Sequence, residues 1–406
     1  MRILFLSSLF APFIHDQIIS LLSKKEIIGF SNFHYNFYLY LRTRRDRKLY
    51  RESELSQIVP GRDKIFYPGL PKDILKCIYP KILYSQIRNL YKNKEFDIIH
   101  AHTLLPSGYV AYKLSKLRNV PYIVTTHGAD FYKCISHVSK LRNIKPYCNK
   151  EISMVREVLQ NANSIICVSN KFAEDVSTFC PNAKIQIIPN DYRSDIFFPQ
   201  DKLLCRKELR IPNNKKIIIS VGNFVEVKGH KYILQALPAI IDKHKDILLL
   251  LIGGGELKKK YIKTCEQLNL KKHVRIMDRL KHEELAIWYN IADIFVLPSV
   301  NETFGVVLLE ALACGLPVIA TSTSGPSQII SDSIDGLFVP IKNSNAISET
   351  VNYLFSNEET LKKMSKNALQ NIQNKYSNVT KKIICVYKTS IKSTENNLYN
   401  KKVKKK

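Results

Sequence analysis

At 406 residues and 45% hydrophobic content, the chain is long enough for two domains with separate cores and has the composition of a folded globular protein. Its longest apolar run, residues 247–255, is strand-sized and ends in glycines, well short of the ~20 residues that a membrane-spanning helix needs. A net charge of +27 comes without a recognisable nucleic-acid motif, and nine cysteines are scattered with no C-x-x-C pair, which argues against a nucleic-acid binder, a disulfide framework and a zinc site and for structural thiols in a reducing compartment.

Strand-like and helix-like segments alternate from the start, the pattern of parallel sheets covered by helices on both faces. Residues 3–6 read as a buried first strand, a better account of the apolar start than a signal peptide, because His15 and Asp16 interrupt it and no cleavage site follows. A helix is predicted over 16–22, a strand over 33–40 with a membrane-proximal helix as the alternative there, and a helical pattern over 71–91 broken by Pro80. Residues 96–99 form a strand that delivers His100 and His102 to its carboxyl end. After a helix over 108–117, the strand 122–126 delivers His127, Gly128 and Asp130 to the same sheet edge, where ligands collect in open α/β folds. The spacing of the three histidines is not a recognised metal-ligand pattern. Strands over 165–168 and 184–188, with Ser169 capping the helix between them, close the first half.

Residues 189–201 carry Pro189, Pro199 and several polar residues and mark a domain boundary. The alternation then restarts with a strand over 217–221, followed by a loop bracketed by Gly222 and Gly229 that carries Asn223 and Lys228. Its amides and the Lys228 ammonium are placed to reach a phosphate, although it is neither a Walker loop nor a G-x-G-x-x-G fingerprint. Strands over 248–252, 274–277 and 294–297 follow, with an amphipathic helix over 282–291 that bears Trp288 as a packing residue. The loop after the last of these leads through Glu302, Thr303, Phe304 and Gly305 into a helix from Val306 to Cys314, stopped by Gly315 and Pro317. Every residue of that helix is apolar except Glu310, a carboxylate that is costly to bury without a specific partner. Glu302 and Glu310 therefore bracket a helix N-terminus whose amides and dipole favour an anion, which suits a ligand carrying both hydroxyls and phosphate. A strand over 318–320 and a polar turn over 321–326 follow, and the chain beyond Lys342 is largely helical, with a terminal helix over 376–387.

These pieces, in order from about residue 97 to 340, resemble a family 4 glycosyltransferase of the GT-B fold. The matching segments include Asp97-Ile98-Ile99-His100, His127-Gly128-Ala129-Asp130, Val221-Gly222 through Lys228-Gly229, Ile252-Gly253-Gly254-Gly255, Asp293 through Ser299, and Glu302 with Glu310 as an E-x7-E pair. The resemblance implies two doubly wound Rossmann-like domains facing each other across a cleft. An acceptor-side domain would span residues 1–195 and be joined by a terminal helix over 376–391. A nucleotide-sugar-binding domain would span 196–375, and 392–406 would form a basic, disordered tail. It implies retaining transfer of a hexosyl or N-acetylhexosaminyl group from a UDP- or GDP-linked sugar, with no cofactor and no metal. Glu310 would hold the ribose hydroxyls and Glu302 a hydroxyl of the donor sugar. Amides of Phe304, Gly305 and Val306 would cradle the diphosphate, and Lys228 would neutralise the departing β-phosphate. Gly222, Asn223, Arg279, Leu280 and Thr303 would line the donor, and His127 would lie near the donor sugar.

Four departures from the family pattern stand out. Asn223 replaces a basic residue, Asp278 stands in place of a glycine, Asp191 follows Asn190 where glycine is common, and residues 9–13 lack the glycine-rich turn that follows the first strand. The last of these leaves a catalytically impaired scaffold or binding protein as the alternative reading, with a sugar-nucleotide 2-epimerase as another. The favoured acceptor is a glycan or lipid-linked glycan, as in capsule, exopolysaccharide or lipopolysaccharide synthesis. Arg42, Arg44, Arg45, Arg47, Lys48 and Arg51 form a basic cluster suited to an anionic membrane, so a cytoplasmic protein at the inner face of the plasma membrane is expected.

Overall fold

The computed structural model describes residues 1–7, 12–24, 27, 29–34, 79–128, 130–132 and 149–403. Two compact units emerge, Met1–Asn190 with Asn378–Lys406, and Asp191–Ser377. Both are Rossmann-like layers of helices on a parallel six-stranded sheet, the architecture of the GT-B fold. In the first unit the strands are β1 (Arg2–Ser7), β2 (Gly29–His34), β3 (Ile98–His102), β4 (Tyr122–Thr126), β5 (Ser164–Cys167) and β6 (Ile185–Ile187), in the order β2-β1-β3-β4-β5-β6. In the second they are β7 (Lys216–Val221), β8 (Ile247–Ile252), β9 (Val274–Met277), β10 (Ile294–Leu297), β11 (Val318–Thr321) and β12 (Gly336–Val339), in the order β12-β11-β10-β7-β8-β9.

The central strands are unbroken apolar runs because helices cover both faces: all of Ile217, Ile218 and Ile219 on β7 and all of β10 are buried. One core of the second unit joins β7, β8 and β10 to the helices His230–Lys243 and Ser344–Ser356 through Ile218, Leu249, Val296, Leu237 and Val351. Each strand order reverses once, between β1 and β3 in the first unit and between β7 and β10 in the second. Ligands of open α/β sheets sit at the carboxyl ends of the strands beside such a reversal.

Several elements differ from the sequence reading. Pro80 is the second residue of the described helix Tyr79–Leu90, where its missing N–H is harmless, and residues 71–78 of the predicted pattern lie outside the described residues. The histidines of β3 lie within the strand rather than beyond it. The terminal helix is not 376–387: one helix ends at Tyr376 and another runs Val379–Val403. Residues 392–403, expected as a disordered tail, continue that helix, since neither Gly nor Pro stops it. Its inner face stays docked: Asn163 Nδ2 donates to Thr394 Oγ1 at 3.0 Å, and Leu398 borders a cavity of about 340 Å³ with Val120 and Pro121. Most of the predicted strand 33–40, the first-loop residues 9–11, and the Arg42–Arg51 cluster lie outside the described residues. No helix among those described is long and apolar enough to cross a membrane.

Candidate functional site

In the second unit, Gly222, Asn223 and Lys228 follow β7, while Thr303, Phe304, Gly305 and Val306 follow β10, so the two loops flank the reversal in strand order. Backbone contacts weld them together. The Val300 N–H donates to the Val227 carbonyl at 2.8 Å. Gly229, at φ 66°, has no room for a side chain, because a Cβ there would lie 2.0 Å from the Pro298 carbonyl oxygen. This closeness brings Lys228 into a salt bridge with Glu302 Oε2, and the Ser299 hydroxyl donates to the same oxygen at 3.4 Å.

A third loop supports the second. The Gly325 N–H and the Ser324 hydroxyl donate to the Glu302 carbonyl at 3.0 and 3.2 Å. A Cβ on Gly325 would lie 2.4–2.5 Å from the backbone of Phe304. Gly305 turns the chain into the helix Val306–Ala313 at φ 92°, and no side chain among the described residues caps that helix. Glu310, 4% exposed on the first turns of the helix, accepts a hydrogen bond from the Tyr289 hydroxyl at 2.8 Å. Burial and the Glu310 charge together push the Tyr289 hydroxyl well above its ordinary pKa, so it stays a donor.

Farther along the same edge, Arg279 and Leu280 follow β9. Arg279 is exposed and its Nη2 donates to Asn223 Oδ1 at 2.6 Å, while Leu280 is half-buried ahead of the helix His282–Ile291. Asp278 pairs with Lys258 at 3.0 Å. The buried ring of His230 lies beside Gly222, with Nδ1 3.1 Å from the Ser220 hydroxyl. Burial and the nearby Lys228 hold its pKa down at about 3, so it is a neutral packing group.

His127 belongs to the first unit, with His100 and His102 at the carboxyl ends of β4 and β3. His102 Nδ1 is 3.0 Å from His127 Nε2, and the Phe5 ring stacks on His102 at 4.5 Å. His100 Nδ1 is 2.7 Å from the Tyr387 hydroxyl on the terminal helix, and its Nε2 is 2.7 Å from the Thr125 hydroxyl. Desolvation drives two members of this cluster toward the neutral form: His100 is lowered to about 3 and His127 to about 4, with Asp130 opposing the shift at His127. Asp130 itself turns to the Leu104 N–H at 2.7 Å and the Thr126 hydroxyl at 3.0 Å. Among the described residues, no group of three or more His, Cys, Asp or Glu side chains is arranged to hold a metal ion.

Tyr289, Ser299 and Gly325 are the residues that sequence reasoning missed. A buried glutamate requires a donor, but nothing in residue spacing says that it comes from Tyr289. Ser324-Gly325-Pro326 does carry a turn signal, although not its contact with Phe304.

The model for "Glycosyltransferase Family 4" matches residues 33–190, and the model for "Glycosyl transferases group 1" matches residues 201–371. An N-acetyl-alpha-D-glucosaminyl L-malate synthase of Bacillus anthracis is 27% identical over 318 residues, covering 77% of this chain and 78% of that protein. The sucrose-phosphate synthase of Thermosynechococcus elongatus shares the fold with a TM-score of 0.75 at 19% identity, over 97% of this chain and all (100%) of that one. Anabaena HepE, solved in complex with UDP, does so with a TM-score of 0.69 at 15% identity, over 96% and 100% of the two chains. Both halves of the sequence thus match the same enzyme class, and the chain is a nucleotide-sugar-dependent glycosyltransferase of the GT-B fold, related to family 4 and group 1.

Proposed function

We propose that the protein transfers a hexosyl or N-acetylhexosaminyl group, with retention at the anomeric carbon, from a UDP- or GDP-linked sugar to a glycan or lipid-linked glycan of a surface polysaccharide. The observation that carries this reading is the Lys228–Glu302 pair at the start of a helix that holds the buried Glu310. Glu310 accepts the ribose hydroxyls, and Tyr289 keeps its carboxylate oriented. Glu302 accepts a sugar hydroxyl. Diphosphate oxygens meet the amides of Phe304, Gly305 and Val306, where the helix dipole favours an anion.

As the bond between the anomeric carbon and the β-phosphate oxygen breaks, its electron pair stays on that oxygen. Lys228 stabilises the charge developing there, and the acceptor hydroxyl passes its proton to the departing phosphate as the new glycosidic bond forms. Gly222, Asn223, Arg279, Leu280 and Thr303 line the donor. Surface charge fits a peripheral enzyme: Lys381, Lys382, Lys388 and Lys392 are exposed on the terminal helix, in a chain of net charge +27. We place it at an anionic inner membrane surface on that ground.

Thermal unfolding with UDP, GDP and ADP tests the donor reading. A nucleotide at ~100 times its dissociation constant should add about 2.7 kcal/mol. No shift with any of the three would overturn it. Transfer assays on Glu302→Ala and Glu310→Ala test the two roles, and unchanged activity in both would remove them. Flotation with liposomes tests the membrane assignment, which fails if neutral and anionic lipid bind equally.

A further inference from the structure

Two side chains that belong to different parts of the donor in the reading above are bound to each other. Lys228, set against the β-phosphate, forms a salt bridge with Glu302, set against a sugar hydroxyl. The backbone presets this contact on both sides of the lysine. The Val227 carbonyl accepts from the Val300 N–H at 2.8 Å, and a Cβ on Gly229 would lie 2.0 Å from the Pro298 carbonyl oxygen. Glu302 is fixed in turn, because its own carbonyl accepts from the Gly325 N–H and the Ser324 hydroxyl. The side chains are 24% and 11% exposed, so solvent screens this pair less than it would a surface pair.

The pair also stands at the start of the helix Val306–Ala313, where the diphosphate belongs. Glu302 Cγ lies 3.3 Å from where a Cβ on Gly305 would stand, so the glutamate stem crosses the helix entry. The dipole that draws a phosphate to this end favours a carboxylate there as well. Glu302 and a β-phosphate therefore compete for one ammonium. An intact donor resolves the competition: its sugar hydroxyl donates to Glu302 while the β-phosphate takes Lys228, and both side chains stay paired. A nucleoside diphosphate that has lost its sugar brings no such hydroxyl. Drawing Lys228 to it leaves a carboxylate that is mostly withdrawn from water without its cation, which is costly.

We propose that the Lys228–Glu302 pair is a product-release device, in which Glu302 withholds Lys228 from the spent nucleoside diphosphate and weakens its binding relative to the donor. The device rests on the donor reading above and deepens it, by giving Glu302 a second role after transfer.

Titration calorimetry with UDP, GDP, ADP and the matching nucleoside monophosphates measures it. Glu302→Gln keeps the size of the side chain and removes its charge. This variant is expected to bind the preferred diphosphate about threefold to tenfold more tightly than wild type, although its sugar transfer is impaired. Its affinity for the monophosphate should stay within about twofold of wild type, since no β-phosphate is present to meet Lys228. In a Lys228→Met background the same substitution should change diphosphate affinity by less than about twofold, because the gain runs through the ammonium. Glu302→Ala, with the same expected sign, replaces the glutamine variant if thermal unfolding shows that the latter does not fold. Diphosphate affinity that is unchanged or weaker without the Glu302 charge would overturn the device and leave the donor reading standing. An equal gain with and without Lys228, or for monophosphate and diphosphate alike, would reduce the effect to general repulsion and overturn it too. A wild type that binds none of the three diphosphates would overturn the donor reading and the device with it.

Discussion

The two sheets carry very different chemistry at their carboxyl edges. On the second unit the edge is charged and open to ligand: Lys228, Glu302 and Arg279 occupy loops pressed together at Gly229, Gly253 and Gly325, where no Cβ fits. On the first unit the edge is packed with rings, with His100 and His102 buried and interlocked with Phe5, His127 and Tyr387. Backbone proximity builds the first kind of site and side-chain packing the second. Substitutions should therefore separate them: the charged edge should respond in catalysis and donor binding, the histidine edge in stability.

The largest separation should come from Lys228→Ala. Removing a cation from the position where charge develops is expected to lower kcat by about a hundredfold to a thousandfold. The same change at His102 should fall mainly on stability, since that ring is sandwiched between Phe5 and His127. Sugar-transfer rates and thermal midpoints on both variants check the contrast. A Lys228→Ala protein that turns over like wild type would erase it.

Next in size is Gly325→Ala. The new methyl would sit 2.4–2.5 Å from the Phe304 backbone and must displace the loop that carries Glu302. Overpacking of this kind costs about 1–3 kcal/mol. The expected signature is a lowered thermal midpoint together with a raised KM for donor; a lowered midpoint with KM unchanged would mean that the loop does not depend on this support.

Most of the strands were legible because each sheet is buried on both faces, so that segments such as Ile217-Ile218-Ile219 and Leu249-Leu250-Leu251 stand out as apolar runs bounded by glycine or polar residues. Glu310 was legible as a lone charge in an apolar helix. Its partner was not, since Tyr289 lies 21 positions away on another helix. Arg279 and Asn223 are 56 positions apart and meet only because Gly254 lies between them. Such contacts depend on strand order, which local periodicity does not report. The terminal helix was misplaced for a related reason: its polar outer face reads as a tail, and only the docking of Thr394 and Leu398 shows that it continues.

Acid should act on both units, and more gently. His100 and His127 in the first unit, lowered to about 3 and about 4, and His230 in the second, lowered to about 3, are neutral when folded. Unfolded histidine titrates near 6.5, so above that pH neither state binds the proton and the full stability is present. Below about 6.5 the unfolded chain takes up protons that the folded rings refuse, and stability falls by about 1.4 kcal/mol per pH unit for each ring until its folded pKa is reached. The groups facing these rings act in both directions: Asp130 opposes the shift at His127, and Lys228 adds to it at His230. His244 in the second unit is lowered as well, by burial and the nearby Lys216, so hydrogen exchange between pH 6.5 and 5 should show both units losing protection as the pH falls. Protection that stays constant over that window would show that these rings do not remain neutral in the folded chain.

The smallest effect expected is that of Tyr387→Phe. His100 is neutral and lies between two hydroxyls, so one ring nitrogen donates and the other accepts. Phenylalanine keeps the edge-to-face contact of the two rings, now 5.6 Å apart at 73°, and removes only the hydroxyl at Nδ1. The loss is then one buried hydrogen bond, about 1 kcal/mol, with kcat and donor KM unchanged. Thermal unfolding and transfer kinetics on the same preparation measure both. A Tyr387→Phe protein that keeps its stability but loses turnover would make the histidine edge a chemical site, and the contrast between the two sheet edges would fail there.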